Sequence, residues 1–156
     1  MTVCLAYRVG EKVVLACDGR VTDESGAIVT DSAKKWLQCG RDVVLMAGKV
    51  GDFWAKAQHR PPSSYQAFRK RLSSAELDEF DWLSYQPDNG CLQQTDTIVS
   101  EPYCGIGSGA SVALGALDAM QAAETIEEAQ ECLKTAILIA VRRNSSCGGV
   151  PTIISL

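Results

Sequence analysis

The stretch Thr2-Val3-Cys4-Leu5-Ala6-Tyr7-Arg8-Val9-Gly10-Glu11-Lys12-Val13-Val14-Leu15-Ala16-Cys17-Asp18-Gly19 decides how this chain is read. Residues 2–8 carry a strand pattern, Gly10-Glu11 supplies a turn, and Lys12 to Cys17 forms a second apolar strand ended by Asp18-Gly19. Two apolar strands joined by so short a turn predict a β-hairpin. Beyond it, residues 21–31 are polar and loop-rich. Lys34 to Leu37 is a short strand candidate. Gly40-Arg41-Asp42 turns into Val43-Val44-Leu45-Met46-Ala47, a buried strand that stops at Gly48.

The pattern then changes. Residues 49–58 and 63–73 read as helices separated by Pro61-Pro62, since proline breaks a helix. Phe80 to Tyr85 and Cys91 to Gln94 flank Pro87-Asp88-Asn89-Gly90, and asparagine followed by glycine between short strands predicts a hairpin. Thr97 to Val99 and Tyr103 to Ile106 read as one more pair. Residues 108–123 are rich in alanine and predict a helix with a smooth buried face. Thr125 followed by Glu128 is a capping box that opens a second helix through about Arg143, with Leu133, Ile137, Leu138 and Val141 as its apolar stripe. A last strand runs from Val150 to Ile154. Strands, helices, strands, helices and a strand, with hairpins and no βαβ run, predict an α+β fold of two antiparallel sheets covered by helices. No repeat or linker divides residues 1–156, which read as one domain.

Composition narrows the classes of function. The chain has 156 residues, a formal net charge of −4 and 46% hydrophobic residues, an ordinary globular balance with no basic surplus for nucleic acid or an anionic membrane. No apolar run spans a bilayer, and the N-terminus lacks the basic and apolar regions of a secretory signal. Seven cysteines without a C-x-x-C motif fit free thiols in a reducing compartment, so a cytoplasmic location is expected. The one histidine, His59, sits in a loop-like stretch before Pro61, which argues against a serine–histidine–aspartate triad or a histidine-based zinc site.

Several short pieces fall in order along nearly the whole chain: Thr2, Leu15-Ala16-Cys17-Asp18-Gly19, Ala33-Lys34-Lys35, Leu45-Met46-Ala47-Gly48, Ile106-Gly107-Ser108-Gly109 and Arg143-Asn144-Ser145-Ser146-Cys147-Gly148-Gly149. Each is weak alone. Together they resemble a β-type proteasome subunit and its bacterial relative, the HslV-like peptidase, both N-terminal nucleophile (Ntn) hydrolases. Asp18 lies sixteen and Lys34 thirty-two residues after Thr2, the spacing this resemblance asks for. The resemblance implies a four-layer αββα sandwich and a threonine-type peptidase whose nucleophile is Thr2 once Met1 is removed. An aminopeptidase is expected to take Met1 off before so small a residue. Retention of Met1 would turn the Thr2 amine into a peptide nitrogen, which cannot act as a base.

A threonine hydroxyl needs something to take its proton. A free α-amine, with an ordinary pKa of about 7.7–8.0, is suited to that work near neutral pH. By the resemblance, Lys34 lies beside Thr2 and lowers its pKa values, Asp18 holds Lys34, the Gly48 N–H faces the developing oxyanion, and Ser108 supports the site. The implied partners are a peptide or unfolded-protein substrate, a homo-oligomeric ring and an ATPase unfoldase. No metal or organic cofactor is needed. Each residue also has an ordinary reading. Thr2 suits a strand, Asp18 a turn, Lys34 a solvated strand and Gly48 a strand end, while Ser108 would be the N-cap of the following helix. Gly105-x-Gly107-x-Gly109 tempts a nucleotide reading but follows hairpins, with no acidic residue after a parallel strand. Two positions depart from the family pattern. Asn144 stands where active members usually carry aspartate, and Cys147 where they carry serine. Asparagine brings no charge and cysteine bonds weakly. A catalytically silent, assembly-only subunit is therefore the second reading, and an Ntn amidase acting on a small molecule the third.

Overall fold

The computed structural model describes residues 2–49, 51–73 and 78–156. Met1 and its removal therefore lie outside the described residues, as does Val50 within the helix expected over 49–58. The opening hairpin forms as the alternation requires. Strand β1 (Cys4–Val9) pairs antiparallel with β2 (Lys12–Cys17), Cys4 opposite Cys17 and Val9 opposite Lys12, around Gly10 at φ +59°. Two short strands follow, β3 (Val21–Thr22) and β4 (Ile28–Thr30), paired as a ribbon where a loop was expected. Strands β5 (Trp36–Cys39) and β6 (Asp42–Gly48) form the next hairpin.

Helices α1 (Gly51–His59) and α2 (Tyr65–Arg71) flank the proline pair, and His59 ends α1 rather than lying in a loop. Then come β7 (Phe80–Gln86), β8 (Cys91–Gln94), β9 (Thr97–Ile98) and β10 (Tyr103–Ile106). The tight turn at Gly90 (φ +63°) joins β7 to β8 as the asparagine–glycine signal requires. Helix α3 covers Ala110–Asp118 and α4 covers Ile126–Arg143. The capping box at the start of α4 is complete: Thr125 Oγ1 accepts from the Glu128 N–H at 3.2 Å, and the Glu128 carboxylate accepts from the Thr125 N–H. Strand β11 (Thr152–Ser155) closes the chain.

The larger strands make two antiparallel sheets, one ordered β10-β1-β2-β11 and the other β5-β6-β7-β8-β9. The expected pairing of 97–99 with 103–106 does not form. Strand β9 extends the second sheet beside β8, and β10 crosses to the first sheet, with Ile106 opposite Cys4. Two-residue periodicity sets which face of a strand is buried, not which strand lies beside it.

Three apolar clusters separate four layers. Cys4, Ala6 and Leu15 of the first sheet meet Val43, Leu45 and Leu83 of the second. The opposite face of the first sheet, with Leu5 and Val14, packs on Ala113, Leu133, Ala136 and Ile137 of α3 and α4. The opposite face of the second sheet, with Met46 and Trp82, packs on Phe53 and Phe68 of α1 and α2. The architecture is the αββα sandwich. The seven cysteines are free thiols. Among the described residues, no helix is long and apolar enough to cross a membrane.

On α4, Leu133 is fully buried, whereas Leu138 is 39% exposed. Leu133→Ala should lower the unfolding free energy by about 2–5 kcal/mol through the cavity it leaves. Leu138→Ala should change it by about 0.5 kcal/mol or less. Urea unfolding of the two variants checks the inward face of this helix.

Candidate active site

Strand ends from both sheets meet at one edge of the sandwich. Thr2 enters β1, Asp18 leaves β2, Lys35 enters β5, Gly48 ends β6, and Gly107-Ser108 leave β10. Asp18 is completely buried, and three donors converge on it. Its Oδ1 accepts from the Val3 N–H at 3.0 Å and from Lys35 Nζ at 2.7 Å, and its Oδ2 accepts from the Gly148 N–H at 3.0 Å. Lys35 Nζ also donates to Thr2 Oγ1 at 3.0 Å. Thr2 and Lys35 are each only 7% exposed, so the hydroxyl, ammonium and carboxylate form a connected group shielded from water. A buried carboxylate of this kind persists because its charge is matched and its lone pairs are occupied.

The lysine beside Thr2 is Lys35, which corrects the expectation for Lys34. Lys34 is exposed, and its ammonium lies 3.8 Å from the centre of the Trp36 ring. Consecutive extended residues point to opposite sides of the chain. Lys35, Leu37 and Cys39 are buried at every second position, which leaves Lys34 outside. Counting thirty-two residues from Thr2 passes over this alternation. Extending the apolar positions Leu37 and Cys39 backward by two would have pointed to Lys35.

The glycines that suggested a nucleotide loop serve close packing instead. Gly107 has φ +90°, and a Cβ there would lie 2.2 Å from the Thr2 carbonyl oxygen. A Cβ on Gly109 would lie 2.8 Å from Cys147 Sγ, and the Gly109 N–H donates to the Thr2 carbonyl at 3.2 Å. Ser108 is not the N-cap of α3. That place belongs to Gly109, and no side chain caps the helix. Gly48, at φ +117°, packs against the backbone of Glu79 and Phe80.

Asn144 and Cys147 reach Ser108. Asn144 Nδ2 donates to the Ser108 carbonyl and hydroxyl oxygens at 3.4 and 3.5 Å, and its Oδ1 accepts from the Ser146 N–H at 3.1 Å. Cys147 is fully buried. Burial pushes its thiol pKa up, the nearby Asp18 charge adds to this, and the Ser108 side chain opposes it. Among the described residues, no hydrogen bond joins Asn144 to Thr2. A cleft of about 340 Å³ opens over Thr2, with Gly48 and Ser108 on its wall. Among the described residues, no cluster has the composition of a metal site.

The four-layer αββα sandwich is an Ntn-hydrolase-like fold. Eukaryotic HslV from Trypanosoma brucei has a similar structure: the TM-score is 0.67 with 18% sequence identity, over 99% of this chain and 98% of that one. No family model and no curated protein matches the sequence.

Lys35→Met should destabilise the fold by about 3 kcal/mol, because Asp18 would keep its charge in the interior without a cation. Lys34→Met should leave stability almost unchanged. Chemical denaturation of the pair distinguishes the two lysines without reference to activity.

Proposed function

We propose that this protein is a threonine-type peptidase that uses Thr2, freed of Met1, as its nucleophile. The observation carrying this reading is the 3.0 Å hydrogen bond from Lys35 Nζ to Thr2 Oγ1, with Lys35 fixed by the buried Asp18. In the proposed reaction the α-amine of Thr2 takes the hydroxyl proton. The cation of Lys35 favours the resulting alkoxide and lowers the pKa of the neighbouring amine. Thr2 Oγ1 attacks the scissile carbonyl carbon, and the Gly48 N–H donates to the oxyanion that forms. The C–N bond breaks as the amine returns its proton to the leaving nitrogen. Water then hydrolyses the acyl ester on Thr2. Asp18 and Lys35 position and polarise the nucleophile. Ser108, with Asn144 and Cys147 behind it, supports its far side. No metal or organic cofactor takes part.

The proposal extends to the assembly. Residues 1–156 act as one domain in a homo-oligomeric ring in the cytoplasm, taking peptide or unfolded protein from an ATPase unfoldase. A second reading, a silent assembly subunit, draws on Asn144, which brings Ser108 a neutral amide with long hydrogen bonds and no charge.

Intact mass spectrometry before and after an electrophilic threonine probe should show loss of Met1 and one adduct on Thr2. Thr2→Ala should abolish both the adduct and peptide hydrolysis. Retained Met1 with no adduct would favour the silent subunit. Lys35→Ala should reduce kcat/KM by at least about a hundredfold, and Lys34→Ala by less than about twofold. With the amine as base, kcat/KM should fall as the pH drops through the amine's pKa. That acid limb should lie below the ordinary α-amino value of about 7.7. A pH profile whose only limb lies well above that value would exclude the amine as the base.

A further inference from the structure

Cys4 and Cys17 stand directly opposite each other where β1 and β2 reach the edge that holds Thr2 and Asp18. Among the described strand pairings, no other two cysteines do. The kind of pair they form follows from the turn. Val9 and Lys12 flank the two-residue turn Gly10-Glu11, so theirs is a hydrogen-bonded pair, and the two kinds of pair alternate along an antiparallel ladder. Alternation from Val9 back to Cys4 makes Cys4 and Cys17 a non-hydrogen-bonded pair. The next position out agrees. There the Asp18 N–H donates to the Val3 carbonyl at 3.1 Å, as the hydrogen-bonded kind requires. Non-hydrogen-bonded partners have Cα atoms about 4.5 Å apart, with side chains on one face. A disulfide accepts Cα separations from about 4.4 Å upward, so a bridge here needs little movement of the strands.

The two thiols are not equivalent. The Cys17 thiol is held below its ordinary pKa, first by the hydrogen bond from Cys4 and further by the Lys35 ammonium and the Lys35 backbone N–H, against the effect of burial. Burial pushes the Cys4 thiol well up, and its Sγ also donates to the Met46 carbonyl at 3.7 Å. Cys17 is thus the nucleophile of the pair, and Cys4 keeps its proton until the bridge closes. Both residues are fully buried, in an apolar cluster that also holds Ala47, which lines the Thr2 cleft. Burial selects the reagent: an oxidant close to water in size reaches the sulfurs through local opening at this end of the hairpin, and bulky ones do not.

We propose that Cys4 and Cys17 are a reversible redox modification site, which hydrogen peroxide converts to an intramolecular disulfide. The Cys17 thiolate attacks one peroxide oxygen, the O–O bond breaks, and hydroxide leaves and takes up the proton that Cys17 had released. The product is a sulfenic acid on Cys17. Cys4 sulfur then attacks Cys17 sulfur, the S–O bond breaks, and the Cys4 proton leaves with the hydroxyl as water. Two thiols are oxidised and one peroxide is reduced to two waters. A thiol reductant restores the thiols by exchange. The bond lies one residue from Val3 and Asp18, whose contacts hold Lys35 at Thr2.

The test uses the unmodified protein. The folded chain is treated with hydrogen peroxide, the peroxide is removed with catalase, and the chain is unfolded in excess N-ethylmaleimide and digested with trypsin. Cleavage after Arg8, Lys12 and Arg20 puts Cys4 and Cys17 on separate peptides. Mass spectrometry should show these two peptides joined, lighter by two hydrogens than their sum, with loss of their alkylated forms. Reduction before alkylation should reverse this. Recovery of both peptides as N-ethylmaleimide adducts after peroxide overturns the proposal, as does a bridge from either to another cysteine or an oxidation that reduction does not reverse. Cys4→Ser keeps a donor toward Met46 and removes the resolving sulfur. In that variant dimedone should capture Cys17 as its sulfenic acid, and a Cys17 that stays a thiol overturns the assigned nucleophile. Neither measurement uses turnover, so the redox site and the peptidase reading can each fail alone.

Discussion

The buried carboxylate of Asp18 ties together parts of the chain that are far apart in sequence. Val3 at the start of β1, Lys35 before β5 and Gly148 in the segment leading to β11 all donate to it. A carboxylate without water must find its stabilisation in fixed donors, and each donor comes from a different element. The requirement therefore acts as a three-point clamp. It brings the end of the first sheet to the edge of the second and lets Lys35 turn a second N–H toward Thr2. In the proposed reaction, the same requirement keeps the ammonium charge beside the nucleophile, at a distance set by the fold rather than by a flexible side chain.

Around this clamp the backbone is packed closely enough to need glycine. Gly107 passes the Thr2 carbonyl at positive φ, and Gly109 rests on Cys147. Gly149, at φ +74°, crosses Asp31 so closely that a Cβ would meet its carbonyl oxygen at 2.1 Å. Arg20, bound to Asp31, also donates to the Ser145 carbonyl at 2.9 Å and covers Gly148. The segment that offers its N–H to Asp18 is thus held from both sides. Side-chain bulk in these crossings would displace a donor from the carboxylate, so local steric demands and the charge network impose one geometry.

Much of this was legible where the controlling physics is local. The hairpins around Gly10 and Gly90 follow from turn chemistry, and the start of α4 follows from the reciprocal bonds of Thr125 and Glu128. Thr2 and Asp18 were singled out from their order in the chain, and Lys35 bonds to both. Long-range choices were not written in the same way. Strand β10 alternates equally well beside β9 or beside β1, and the decision comes from Gly105 and Gly107 fitting against Leu5 and Thr2. Lys34 and Lys35 are the same residue type one position apart. Counting along the chain cannot separate them, whereas the burial of Leu37 and Cys39 does. The ribbon of β3 and β4 eluded the composition because Ile28 and Val29 remain exposed, so no buried face marked them as strand.

The two positions that differ from the pattern of the family this chain resembles sit one contact away from the central group. Asn144 and Cys147 both bear on Ser108, while Lys35 bonds to Thr2 and Asp18 bonds to Lys35. Replacing a carboxylate by an amide at position 144 removes a negative charge from the neighbourhood of Ser108. It leaves the Lys35–Asp18 pair with its full complement of donors and acceptors. Electrostatic influence falls with distance and with each polarisable group interposed. In the proposed reaction, a change confined to the Ser108 side therefore alters the tuning of the hydroxyl more than its placement. Exchange of serine for Cys147 acts in the same place: a buried thiol keeps the shape that supports Ser108 and Gly109 while offering a weaker hydrogen bond. The arrangement keeps apart the residues that bond to Thr2 and those that bear on Ser108.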